Sequence, residues 1–81
     1  MSTVTVQLFA SYAESFGETT LKIAFPAGGT VRELIGRIRA LPAAADLPEV
    51  PRVAVNRRFA ALEQRVGPDD EIALIPPVAG G

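Results

Sequence analysis

Hydrophobic and polar positions alternate from Thr3 to Phe9. Val4, Val6 and Leu8 fall on one face, and Thr3, Thr5, Gln7 and Phe9 on the other. A period of two over this length predicts a half-buried strand. Ser11 to Phe16 is a short stretch that Ser11 can cap as a helical turn and Gly17 can end. Alternation returns from Glu18 to Phe25, with Leu21, Ile23 and Phe25 on one face. Pro26 and the run Ala27-Gly28-Gly29 break it.

The period then changes. Thr30-Val31-Arg32-Glu33 is a capping-box pattern, in which the Thr30 hydroxyl and the Glu33 carboxylate each satisfy a backbone N–H of the other residue. Val31, Leu34, Ile35, Ile38 and Leu41 follow at helical spacing and make one apolar stripe, which Pro42 ends. Residues 42–51 hold three prolines and predict a loop. Val53 and Val55 mark a strand that turns at Asn56-Arg57-Arg58, and Phe59 to Leu62 predicts a short return strand. Gly67-Pro68-Asp69-Asp70 predicts a turn. Glu71 to Ile75 predicts the last strand, with Ile72 and Leu74 on one face and Ala73 and Ile75 on the other.

Strand, strand, helix, then two or three strands imply a two-layer α+β domain over residues 1–81. A single main helix covers one face of a mixed sheet of four to five strands. The other face is then solvated or covered by a partner. Phe9, Phe59 and Ile75 fall on that second face by alternation, where they either close a small secondary core or, as a contiguous apolar patch, form an interaction surface, which is the favoured expectation.

Composition narrows the chemistry. The 81 residues include no Cys and no His. Disulfides, thiolate nucleophiles and the commonest zinc ligands are excluded, as is the side chain that titrates near neutrality. The formal net charge is −1, without the basic footprint of a nucleic-acid binder. No apolar run approaches a membrane span, and no basic-then-apolar leader opens the chain. The expectation is a cytoplasmic protein that engages neither nucleic acid nor membrane.

Internal candidates are weak. Gly28-Gly29-Thr30 precedes a helix N-terminus, where backbone N–H groups hold anions, yet the phosphate-loop spacing and its Lys are missing. Strand-to-helix turn chemistry accounts for it. Asp69, Asp70 and Glu71 are adjacent rather than spaced as calcium ligands are, which predicts a solvated turn or an acidic docking contact. Arg57 and Arg58 sit at a turn tip in an acidic chain and predict a solvated role. Glu14, Glu18 and Glu33 form no acid–base constellation.

The segment Pro76-Pro77-Val78-Ala79-Gly80-Gly81 is different. The prolines hold φ near −65° and keep the exit extended. Val78 and Ala79 are small enough to enter a channel. Gly80 and Gly81 lack Cβ and admit close backbone approach. Six residues span at most about 20 Å, enough to carry a terminal carbonyl into another protein's active site. The segment is therefore expected to be a flexible tail whose Gly81 carboxylate is the reacting group. A carboxylate is a poor electrophile, so a partner enzyme must first adenylate it with ATP.

These residues resemble the small subunits of molybdopterin synthases, sulfur carriers with the ubiquitin-like β-grasp fold. The resemblance rests on Leu8-Phe9-Ala10, Thr30-Val31-Arg32-Glu33-Leu34, Ala54-Val55-Asn56, Asp70-Glu71-Ile72-Ala73 and the closing Pro76 to Gly81. It implies adenylation of Gly81 by a ubiquitin-activating-like adenylyltransferase and conversion to a thiocarboxylate with a sulfur donor protein. Sulfur would then pass to a pyranopterin precursor in the large catalytic subunit, within a heterotetramer. It also implies that Phe9, Phe59 and Ile75 lie against the large subunit. Three departures stand out: Pro68-Asp69-Asp70 where the family often has Asp-Gly-Asp, Leu74 and Ile75 where it often has Phe, and Ala79 where it often has Ser or Thr. Three other expectations remain beside this one: a carrier for thiamine thiazole, cysteine or tRNA thiolation; a ubiquitin-like modifier that joins lysines through Gly81; and a plain interaction domain.

Overall fold

The computed structural model describes residues 2–48 and 50–76. Its elements run β1 (Ser2–Leu8), α1 (Ala10–Phe16), β2 (Thr20–Phe25), α2 (Val31–Arg39), a 3-10 helix (Pro42–Asp46), β3 (Arg52–Val55), β4 (Arg58–Phe59) and β5 (Ile72–Ile75). The five strands make one mixed sheet in the order β2-β1-β5-β3-β4. β5 lies parallel to β1 with Val6 opposite Ile72, and antiparallel to β3 with Val53 opposite Leu74. β2 pairs antiparallel with β1, and β4 with β3.

Alternation sorts the two faces as the sequence implies. Val4, Val6 and Leu8 of β1, Leu21 and Phe25 of β2, Val53 and Val55 of β3, and Ile72 and Leu74 of β5 are all buried. The helix α2 closes over them with Val31, Leu34, Ile35 and Ile38. Each such side chain, fully withdrawn from water, stabilises the fold by about 1.5–3 kcal/mol relative to exposure. The capping box forms: Glu33 N–H donates to Thr30 Oγ1 at 3.3 Å, and Thr30 N–H donates to Glu33 Oε1 at 3.1 Å. No helix among the described residues is long and apolar enough to cross a membrane.

The structure corrects the sequence reading in four places. Ser11 does not cap α1, because it lies inside the first turn; Phe9 holds the cap position with extended backbone and no side-chain hydrogen bond. Helix α2 stops at Arg39, before Leu41, since Leu41 precedes Pro42 and is pushed to an extended ψ of 142°. Pro42 then opens a 3-10 helix where a plain loop was expected, and it fits there because a first helical turn needs no N–H from it. The return strand shrinks to Arg58–Phe59. The Asn56-Arg57 turn has both residues at positive φ, 53° and 70°, as a tight two-residue hairpin requires. Gly17 does end α1, at φ 71°, where it receives two helix carbonyls through its N–H.

Two side chains mark tight points. A Cβ on Gly29 would stand 2.5 Å from the ring of buried Phe25, so the turn into α2 packs its backbone directly on that ring. Tyr12 is buried in the core, and its hydroxyl has no hydrogen-bond partner among the described residues. Burial raises its pKa above the ordinary 10.0.

Gly29→Ala is expected to destabilise the fold by about 2 kcal/mol through overpacking, measured by urea unfolding. Tyr12→Phe removes an unsatisfied buried hydroxyl and is expected to stabilise by about 1 kcal/mol, seen as a midpoint rise of about 5 °C. The sign with pH follows from the raised pKa. Below pH 10.0 both states keep the phenol protonated; above it the unfolded chain ionises first and stability is lost. A melting point that falls equally in wild type and Tyr12→Phe above that pH would refute this assignment.

Candidate docking site at the sheet's outer face

The outer face carries the site, and strand register builds it. One transverse row runs Gln7, Ala73, Ala54, Phe59, each opposite the next: Gln7 against Ala73, Ala73 against Ala54, Ala54 against Phe59. Two alanine methyl groups therefore sit side by side at the row's centre, with larger side chains at both ends. The next row places Arg52 opposite Ile75, and Phe9 follows the end of β1 alongside. A small pair ringed by large side chains leaves a hollow of about 360 Å³, lined by Gln7, Phe9, Ala54, Phe59, Ala73 and Ile75, with Arg57 and Glu71 at its rim.

Phe9, Phe59 and Ile75, placed on this face by alternation alone, all border the hollow. Phe9 is 46% exposed and Phe59 65%, which is unusual for aromatic side chains of this size. The Arg52 guanidinium lies 5.1 Å from the centre of the Phe59 ring and holds it upright on the short edge strand. Arg57 Nε approaches Glu71 Oε2 at 3.4 Å, an exposed pair worth little energy but one that gives the apolar hollow a polar border. The sequence reading missed Ala54, Ala73 and Gln7. Their signal was present as short or polar residues at outward positions, but only the register brings them into one row.

The same face carries the last described residues. Ile75 closes β5 at the border of the hollow, and half-buried Pro76 follows it. The candidate residues Pro77, Val78, Ala79, Gly80 and Gly81 lie outside the described residues.

Elsewhere the internal candidates make local contacts. The N–H groups that open α2 are all used: Val31 donates to Gln64 O at 2.8 Å, Arg32 to Leu62 O at 2.9 Å, Glu33 to Thr30 Oγ1 and Leu34 to Thr30 O. Gly28-Gly29-Thr30 is thus a turn into a satisfied helix, with Arg65 donating to Gly28 O. Asp70 accepts from Gly67 N–H and Asn56 Nδ2, while Glu71 faces Arg57. No group of three or more carboxylates converges among the described residues. Arg58 is exposed on β4.

Comparison with known proteins bears on the family and the fold. A family model described as the ThiS family matches residues 6–81. The molybdopterin synthase sulfur carrier subunit of Dictyostelium discoideum is 34% identical over 80 residues, covering 94% of this chain and 93% of that protein. SAMP1 from Haloferax volcanii, a small archaeal modifier protein, superposes with a TM-score of 0.82 at 30% identity, over 99% of this chain and 100% of that one. A protein described as molybdopterin converting factor subunit 1 from Pyrococcus furiosus gives 0.78 at 25% identity, over 96% of this chain and 100% of that one. The fold is the ubiquitin-like β-grasp. Matched from residue 6 to residue 81 by the family model and over nearly its whole length by a curated relative, the chain belongs to the ThiS family.

Proposed function

We propose that this protein is the sulfur carrier of a molybdopterin synthase. The observation that carries the reading is the outer-face hollow at the base of the Pro76 to Gly81 segment, in a chain of this family. In this reading the Gly81 carboxylate attacks the α-phosphate of ATP inside a ubiquitin-activating-like adenylyltransferase, and pyrophosphate leaves. Sulfide-level sulfur supplied by a donor protein attacks the acyl carbon, the acyl–phosphate bond breaks with AMP as leaving group, and a thiocarboxylate remains. The charged carrier then docks its outer face on the large catalytic subunit, in a heterotetramer. Pro77 to Gly80 thread the thiocarboxylate sulfur to a pyranopterin precursor. Phe9, Phe59 and Ile75 supply docking area, and the large subunit supplies the acids and bases that a chain without Cys or His lacks. The setting is the cytoplasm, and the protein itself holds no cofactor. The relative named as a sulfur carrier subunit supports this reading.

A second reading is a protein modifier, favoured by the likeness to SAMP1. The same acyl adenylate, attacked by a lysine amine rather than by sulfur, gives an isopeptide bond.

Intact mass after incubation with ATP, a sulfur source and host lysate separates the two. The carrier reading expects a gain equal to replacing one oxygen by sulfur, mapped to Gly81. Higher-mass conjugates beside an unchanged monomer would establish the modifier instead. Deleting Gly81 is expected to abolish either activity with an unchanged melting temperature, because a terminal residue buries little. Phe9→Arg is expected to weaken large-subunit binding by about 2 kcal/mol, as loss of an aromatic anchor does, while the mass gain at Gly81 persists. Wild-type affinity in that variant, read by calorimetry, would remove Phe9 from the interface.

A further inference from the structure

We propose that the outer edge of β2 is a second docking site, separate from the hollow, and that it takes an extended segment of a partner protein with alternating apolar and acidic side chains. The inference does not depend on chemistry at Gly81.

The backbone states the first requirement. Among the described residues β2 is an edge strand, paired only with β1. Leu8 N–H donates to Thr19 O at 2.8 Å, so Thr19 turns its carbonyl toward β1. Antiparallel alternation then turns Leu21, Ile23 and Phe25 inward and leaves the N–H and C=O groups of Thr20, Lys22 and Ala24 pointing away from the sheet. Arg37 confirms that direction from the far side, because its Nη1 donates to Ala24 O at 3.1 Å. Three alternate outward residues, with only the Ala24 carbonyl engaged by that side chain, are a template for one more strand.

The side chains state the second requirement. On the helix side the edge is bordered by half-buried Phe16, Ile23 and Leu41, with Pro42 and Ala43, which line an open hollow of about 670 Å³ that Glu18, Thr20 and Lys22 also border. An added strand lays every second side chain there, so those are apolar. On the outer side the edge presents Thr20, Lys22 and Ala24, and Lys22 is the only lysine in a chain whose other cations are all arginine. The incoming side chain opposite Lys22 is therefore acidic. Strand addition also hands Ala24 O to an incoming N–H. That frees the Arg37 guanidinium, now 5.8 Å from the Phe25 ring centre, for a second carboxylate. Glu18 lines the opposite end of the edge and disfavours an acid there, which fixes the acidic end of the segment near Ala24. A second copy of this chain fits poorly, because antiparallel pairing of the outward residues with themselves, Thr20 against Ala24, sets Lys22 opposite Lys22. β1 separates this edge from β5, so a partner seated here leaves the outer-face hollow and Pro76 free.

The test uses two end-blocked peptides, one alternating valine with aspartate and one alternating valine with lysine. Each is titrated into the full-length protein labelled with ¹⁵N, and amide shifts are read by residue. The aspartate peptide is expected to shift the amides of Thr20, Lys22 and Ala24 and to bind about tenfold more tightly than the lysine peptide, the effect of two cross-strand charges. Lys22→Glu, an exposed substitution checked for fold by circular dichroism, is expected to abolish or invert that preference. Equal affinity for the two peptides would overturn the proposal, as would an absence of β2 shifts up to about 1 mM peptide. Shifts confined to the hollow around Phe9 and Phe59 would do the same. Shifts of β2 that grow with protein concentration alone would make the occupant a second copy and overturn it too.

Discussion

The structure depends on where β5 lies. The last strand of the chain is the middle strand of the sheet, held parallel to β1 on one side and antiparallel to β3 on the other. Ile72 and Leu74 are the deepest residues of the core from that strand, both at 0% exposure. A chain end is ordinarily the part that frays. Here the final strand cannot leave without unpairing both halves of the sheet, so Pro76 departs from the most constrained line in the molecule. A segment that must reach a fixed point in a partner gains precision from such an anchor, because the uncertainty in its reach is only that of the residues beyond it.

The same central strand divides the two faces by chemistry. Its helix-side residues are large and buried, and its outer residues are Ala73 and Ile75. Ala73 meets Ala54 across the strand pair, and that pairing makes the hollow. In the proposed function the domain's contribution is positional: shape at the outer face sets where a partner sits, and β5 fixes the point from which Pro76 departs.

Much of this was legible in the sequence because strands with one buried face announce it by alternation. Thr3 to Phe9 and Glu71 to Ile75 gave both faces correctly, with bounds shifted by a residue. Thr30 to Glu33 gave the start of α2, since a capping box is a local hydrogen-bond pattern that needs no tertiary context. What was not legible is non-local. The order β2-β1-β5-β3-β4 decides that Gln7, Ala73, Ala54 and Phe59 form one row, and no local period encodes it. The 3-10 helix after Pro42 was hidden for a related reason. Ala44 and Leu47 are buried beneath the domain, yet a proline-rich stretch shows no periodicity to reveal them. Tyr12 belongs to the core through α1, whose seven residues are too few to display a stripe.

The two docking sites proposed above, one on the outer face and one on the β2 edge, together answer a conflict inherent in a carrier. A carrier's end group has to be handled by more than one protein, and every handler needs access to the same segment. If each gripped only the outer-face hollow, an incoming partner could not engage before the previous one had left. The β2 edge lies on the far side of β1 from β5, and the side chains bordering it on the helix side share no residue with the hollow. Arg37 keeps that edge from being sticky when empty, because one of its outward carbonyls is already occupied. The single lysine at its centre opposes pairing with another copy. An edge guarded by removable contacts, rather than buried by the fold, opposes self-pairing and, under the proposal, stays open to a strand that brings the matching charge. That combination suits a small domain that must be recognised while its end is in use.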